Sequence, residues 1–230
     1  MTYLGPLIIF FIFYLLHDDI YSFTLNEPHY FESYSWLHKC ESAGRWYGFY
    51  MIIVHFIKRL LECIIIHNFS RNTKTFSRLI WEMAYYWLFC GVGITYYLLH
   101  PNYQKPLWEV ESLYFVKYIL GASFIFCELM NLSCHIHLRE LRVGKENKIG
   151  YIGFPTLHGF SSVSAANYFW EFCAWVIFAF TIQSLTAYLF VFASFLRMNH
   201  RAQKKHRRYI ADYRKQYPSD ERTAFIPYLF

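Results

Sequence analysis

The stretch SSVSAANYFWEFCAWVIFAF, residues 161–180, is aromatic and apolar, yet it carries Asn167, Tyr168 and Glu171 at its entrance. Asn167 and Glu171 are four residues apart and Tyr168 and Glu171 three, so a helix gathers all three on one polar face. A buried tyrosine with a hydrogen-bond partner can donate a proton in catalysis. The alternative is a tyrosine of an interfacial aromatic belt.

Three other clusters have side chains that could do chemistry. In VHFIKRLLECIIIHNFS, 54–70, a helix puts His55, Arg59 and Glu62 on one face and brings Lys58 within reach of Glu62 at i+4. The competing reading is a structural ion pair, with Lys58 and Arg59 reaching lipid headgroups. In CELMNLSCHIHLRELR, 127–142, Glu128, Asn131, His135 and Arg142 form one helical stripe flanked by Arg139. Asparagine and histidine there can hydrogen-bond a nicotinamide or ribose, and arginine suits phosphate; a basic juxtamembrane cap is the alternative. No metal site is expected, because the chain offers one HxH and no further clusters of that kind. The fourth cluster, KKHRRYIADYRKQYP at 204–218, is basic and amphipathic, suited to lipid headgroups or to an anionic substrate.

These groups sit in a chain of 230 residues that is 56% hydrophobic, 23% aromatic and 17% charged. Soluble domains carry about 25% charged residues, so the shortfall and the long apolar runs point to a polytopic membrane protein. Net charge is +6. From Arg197 onward nine Lys/Arg face three Asp/Glu, a tail for a membrane surface or an anionic ligand rather than for nucleic acid. The six cysteines form no CxxC pair and are read as reduced. HPNY at 100–103 is similar to a piece of the isoprenylcysteine methyltransferases, but it lacks their flanking Arg and Gly and is read as a turn.

Apolar segments are expected at 3–17, 46–66, 79–99 and 112–133, with a longer run at 168–196. That run is too long for one crossing and carries Thr181, Gln183, Ser184 and Thr186 at its middle, so a tight turn should divide it. Loops rich in Lys/Arg, at 67–78, 134–160 and the tail, alternate with poor ones. The fold expected is therefore an all-α polytopic bundle of about six crossings with both termini cytosolic.

HFIKRLLECIIIHNFS, YYWLFCGVGITYYLLHPNY, NLSCHIHLRELR, SAANYFWEFCAW and the ending KKHRRYIADYRKQYPSDERTAFIPYLF together resemble the steroid 5-alpha-reductase family. The branch they look most like is that of the very-long-chain trans-2-enoyl-CoA reductases. The resemblance runs from Gly5–Pro6 to the C-terminus and is most characteristic over 80–230. It implies a single membrane reductase domain over 1–230 in the endoplasmic reticulum. The cofactor would be NADPH, the substrate a trans-2-enoyl-CoA, and the partners membrane lipid and other fatty-acid elongation enzymes. It also implies roles. Lys58 and Tyr168 match active-site positions; Asn131, Arg139 and Arg142 match one wall of the cofactor pocket, and Asn167 and Glu171 the other. His135, on the same stripe as Asn131, is assigned to the cofactor with them.

Two departures bear on activity rather than fold. Enoyl reductases of this type usually begin with a ubiquitin-like domain, whereas this sequence starts at the first apolar segment, and Ala165–Ala166 stand where that branch commonly has Cys-Pro. A sterol or polyprenol reductase, or a silent paralogue that binds the elongation complex, are the competing readings.

Overall fold

The computed structural model describes residues 3–16, 19–21, 23, 42–66, 76–141 and 153–229. Among them there is no β-strand, only one isolated parallel bridge between Val163 and Thr223. The helices are α1 (Leu4–Leu15), α2 (Ala43–Leu61), α3 (Phe76–Met83), α4 (Val116–Glu140), α5 (Ala166–Ile182) and α6 (Leu185–Tyr213). α2 runs on into a π-helical turn, Glu62–Ile66; α3 runs on through a π-helical stretch, Ala84–Ile94, and a last α turn, Thr95–Leu98. Within the described residues the expected segments are helical over most of their length. α1 has 12 residues, about 18 Å at 1.5 Å per residue, short of the ~30 Å hydrocarbon core. The stretch Glu111–Glu140, which includes α4, is the one helix among the described residues that is both long and apolar enough to cross a membrane, and only 17% of its apolar window is buried.

The described residues pack as two compact units. The first takes residues 1–60, 70–121 and 178–190. Here α1 lies against the π-helical stretch after α3, because Gly5 leaves room for the Trp87 indole and Gly91 for Ile9. Gly44 and Gly48, one turn apart on α2, meet Pro106 in one case and Leu98 and Ile182 in the other. Small residues at this spacing let apolar neighbours approach the helix backbone. The Glu109 carboxylate caps α2, accepting from Ala43 N at 2.7 Å, Gly44 N at 3.1 Å and Ser42 Oγ at 2.6 Å. It satisfies donors that a helix N-terminus leaves open, at the end where negative charge is favoured.

The division expected within 168–196 falls at Gln183–Ser184. Gln183 adopts φ 49°, which reverses the chain, and its Oε1 accepts from Leu107 N at 2.7 Å. Ser184 Oγ caps α6 by accepting from Ala187 N at 3.1 Å. The last carbonyls of α5 are also taken: Thr181 O by Trp108 Nε1 at 2.9 Å and Ile182 O by Tyr103 Oη at 3.3 Å. The segment read as a plain HPNY turn is thus a turn that also fastens this reversal. Arg45 Nη2 donates to His100 O at 2.8 Å and stacks over the Tyr103 ring.

The second unit takes residues 61–69, 122–177 and 191–230. It holds most of α4 and α5, the later part of α6 and the C-terminal tail. Phe172 of α5, Phe195 of α6 and Phe225 of the tail meet as three rings with centroids 5.6–5.9 Å apart. Cys134, Leu138, Phe160, Val163 and Ala166 form a second buried cluster. Among the described residues no two cysteines are joined by a disulfide; Cys40 lies outside the described residues.

The helices expose apolar side chains and bury polar ones. On α2, Tyr50, Val54, Ile57 and Leu61 face outward, while His55 and Arg59 are buried. On α4, Ile125, Phe126 and Leu129 are exposed and Glu128 and Asn131 buried; on α6, Leu185, Leu189, Phe192 and Leu196 are exposed and Ser194 buried. Replacing Ser184 by Ala should remove the α6 cap and cost about 1 kcal/mol. The thermal midpoint of the purified protein should fall; an unchanged midpoint would show that the reversal does not rely on the cap.

Candidate functional site

The polar clusters of the second unit come together at the facing stretches of α4 and α5. Glu128, Asn131 and His135 are all buried, at helical positions i, i+3 and i+7 of α4, as the stripe requires. Asn131 Nδ2 donates to the backbone oxygen of Asn167 at 2.7 Å, so the middle of α4 is tied to the first turn of α5. Asn131 is 1% exposed and Asn167 5%. Glu171 is buried one turn further along α5, and Tyr168 between them is half-buried.

The Asn167 side-chain oxygen is buried and has no hydrogen-bond partner among the described residues. Such an acceptor normally costs about 1–3 kcal/mol unless something donates to it. His135 Nε2 lies 3.9 Å from a carboxylate oxygen of Glu62, which the π-helical turn after α2 carries, and both residues are buried. Sequence proximity suggested Lys58 as the neighbour of Glu62; the structure adds His135, from a distant helix. Arg139, at the end of α4, is exposed. Lys58 lies on α2 in the first unit and is half-buried. Arg142 falls outside the described residues. No group of three or more potential metal ligands occurs among the described residues.

The start of α5 is held from a direction that sequence reasoning missed. Ser164, two residues before α5, is fully buried, and its Oγ lies 2.5 Å from His206 Nδ1 and 2.5 Å from Tyr217 Oη. It also donates to Thr223 O at 3.1 Å. The backbone joins in: Ser164 N donates to Thr223 O at 2.9 Å and Thr223 N to Ser162 O at 3.2 Å. Arg222 beside it is buried, gives Nη1 to Pro155 O at 2.8 Å and stacks over the rings of Phe154 and Tyr217. The KHxxY and YP pieces of the tail, read as a basic surface, therefore also serve as a clamp on residues 154–164. Their regular spacing was the available signal; their partner could not be read from it.

The arrangement offers a buried amide pair, an unsatisfied acceptor, buried carboxylates and a half-buried phenol, and α4 exposes the apolar Ile125, Phe126 and Leu129. A family model described as 3-oxo-5-alpha-steroid 4-dehydrogenase matches residues 72–230. The chain belongs to this family. The family match takes in α3 to the tail, and with them Asn131, His135, Asn167, Tyr168, Glu171 and the Ser164 clamp; Lys58 precedes it.

The chain is also similar over nearly its full length to family relatives. A probable very-long-chain enoyl-CoA reductase of Caenorhabditis elegans is 32% identical over 231 residues, 99% of this chain and 69% of that protein. A very-long-chain enoyl-CoA reductase of Dictyostelium discoideum is 33% identical over 230 residues, 99% of this chain and 67% of that protein. A trans-2,3-enoyl-CoA reductase-like protein of Mus musculus is 29% identical over 237 residues, 98% of this chain and 58% of that protein. The resemblance to the enoyl-reductase branch is thus matched by these relatives.

Burial pushes the His206 imidazole below its ordinary 6.5. Folding therefore favours neutral His206. Its contribution is complete above pH 6.5 and is lost as pH falls through the lower folded value. The thermal midpoint should drop more between about pH 7.5 and about pH 5.5 in the native protein than in His206→Asn. Equal drops would show that His206 carries no part of the acid sensitivity.

Proposed function

We propose that this chain is an NADPH-dependent reductase of very-long-chain trans-2-enoyl-CoA, performing the last reduction of the fatty-acid elongation cycle in the endoplasmic reticulum membrane. The observation that carries the reading is the buried Asn131–Asn167 pair with its unsatisfied acceptor, set behind an apolar surface, in a chain whose relatives bear enoyl-CoA reductase names. The outward apolar stripes of α1, α2, α4 and α6 suit lipid, and about six crossings with both termini cytosolic follow the loop charges.

The residues present fit a nicotinamide cofactor. The Asn167 oxygen is an acceptor in want of a donor, and a carboxamide N–H is such a donor. Asn131, His135 and Glu171 add buried hydrogen-bonding groups beside it, and exposed Arg139 at the end of α4 suits a phosphate, with Arg142 assigned the same task. When bound there, the cofactor would supply the hydride that the β-carbon of the enoyl thioester takes up.

The protein's own part is to accept the charge that appears on the thioester oxygen and to deliver a proton to the α-carbon. Tyr168 is assigned the proton, from a half-buried phenol in the first turn of α5. Lys58 is assigned the stabilisation of negative charge, either on the phenol or on the developing enolate. The acyl chain would lie among the aromatic segments, each buried CH₂ contributing about 0.8 kcal/mol. CoA is anionic and would remain near the basic end of α6 and the tail.

Purified protein should oxidise NADPH in the presence of a long trans-2-enoyl-CoA and hardly at all with a 3-oxo steroid; the reverse preference would assign it to the steroid side of the family. Tyr168→Phe keeps the ring and removes only the hydroxyl. It should lower kcat about 100-fold or more while cofactor binding persists. A rate within a few-fold of the native one would make Tyr168 a belt residue and end this mechanism. Lys58→Met added to Tyr168→Phe should cost little more, since residues acting as a unit lose rate non-additively; fully multiplicative losses would place Lys58 in another role.

A further inference from the structure

We propose that Ser164 is a positioning residue for Asn167 and Tyr168, and that the C-terminal tail acts on the site through it. This rests on the reading of Asn167 and Tyr168 given above. Ser164 has one hydroxyl proton and three partners: His206 Nδ1 and Tyr217 Oη at 2.5 Å each, and Thr223 O at 3.1 Å. A carbonyl can only accept, so the serine proton goes to Thr223 O. Both remaining bonds are then made only if Tyr217 donates its phenolic proton and His206 donates from Nδ1 to the serine oxygen. The hydroxyl is thereby saturated: one bond given, two received. With all three bonds made, neutral His206 carries its proton on Nδ1, and protonation at Nε2 leaves the bond to Ser164 intact.

Three separate pieces of chain meet at that oxygen: the basic half of α6, the turn after it, and the tail near Arg222. From Ser164 to the site is a short and rigid path. Ala165 and Ala166 follow, both fully buried. Ala165 O accepts from Tyr168 N at 2.9 Å and from Phe169 N at 3.2 Å, opening α5. Asn131 then fixes the Asn167 carbonyl at 2.7 Å. The first turn of α5 is thus held at both ends: by Ser164 before it and by α4 beside it. Two alanines in between carry no side chain that could hold the turn in place of Ser164. Losing the Ser164 hydroxyl leaves only the backbone bridge between residues 162–164 and Thr223 to hold the chain before the turn, which loosens the phenol and the amide, and a misplacement of about 1 Å at a reacting group can cost about 100-fold in rate.

The test uses the full chain in lipid or detergent. In Ser164→Ala, amide exchange of residues 165–171 should rise about tenfold while the middle of α5 stays protected. With enoyl-CoA, kcat should fall about tenfold or more and KM should move less than about threefold. In the Tyr168→Phe background, at saturating NADPH, the same Ser164→Ala change should lower the residual kcat by less than about twofold, because its effect on kcat runs through Tyr168 and its effect through Asn167 falls on cofactor affinity. If Ser164→Ala does not accumulate, Tyr217→Phe, which removes one oxygen and leaves the other two bonds, should act in the same direction with a smaller effect. Unchanged exchange would overturn the proposal. Raised exchange with unchanged kcat would overturn it too, leaving a structural clamp, and so would a full multiplicative loss on top of Tyr168→Phe. The exchange experiment needs no turnover: a native protein that reduces no enoyl thioester would refute the proposed function, while exchange would still decide whether Ser164 orders the start of α5.

Discussion

Asn131 Nδ2 gives its proton to the Asn167 carbonyl over 2.7 Å, with both side chains almost wholly shielded from solvent. In such surroundings a hydrogen bond is stronger than in water, and an unmade one is more expensive. This bond fixes the axial position of α5 against α4. It sets where Tyr168 and Glu171 stand, and the loop and tail that precede and cover α5 must adapt to it. The same shielding makes the unmatched side-chain oxygen of Asn167 conspicuous. Among the described residues the carbonyl of Asn167 is tied down while its side-chain oxygen is unmet, and the proposed function assigns that acceptor to the cofactor.

The wider pattern follows from the same physics. A helix in a soluble domain turns its apolar stripe inward. Here α2 and α4 turn Ile57, Leu61, Ile125 and Leu129 outward and His55, Arg59, Glu128 and Asn131 inward. Buried ionisable groups persist only where they find partners. Glu62 has His135, and Arg59 has the Tyr3 hydroxyl at 2.8 Å and its ring. Caps obey the same requirement: Glu109 closes one end of α2, and Trp108, Tyr103 and Gln183 close the reversal between α5 and α6.

How much of this could be read beforehand depended on whether a pattern was local. The reversal at Gln183–Ser184 was legible, because Thr181, Gln183, Ser184 and Thr186 interrupt an apolar run too long for one crossing. The buried stripe of Glu128, Asn131 and His135 was legible from helical spacing, and Asn167 and Glu171 from theirs. Whatever joined distant pieces of chain was not. Nothing in KHRRY or YP names Ser164 as their meeting point, and nothing around Glu62 names His135. The π-helical stretch Ala84–Ile94 was also hidden, since its composition equally suits an ordinary α-helix; the close contact of Gly91 with Ile9 belongs to the tertiary packing. The tail was read by its charge, and its charge is only half of what it does.

The most direct test of this account is to replace Asn167 by Leu, a side chain of similar size with no polar atom, and to measure two quantities on the same preparation. The backbone bond from Asn131 survives the change. Removing an unmatched buried acceptor should leave the ligand-free protein as stable as before or more so. NADPH affinity should fall about tenfold or more, because the group held for the cofactor is gone. A lowered thermal midpoint with unchanged NADPH affinity would contradict the account, and would make Asn167 a structural residue of α5.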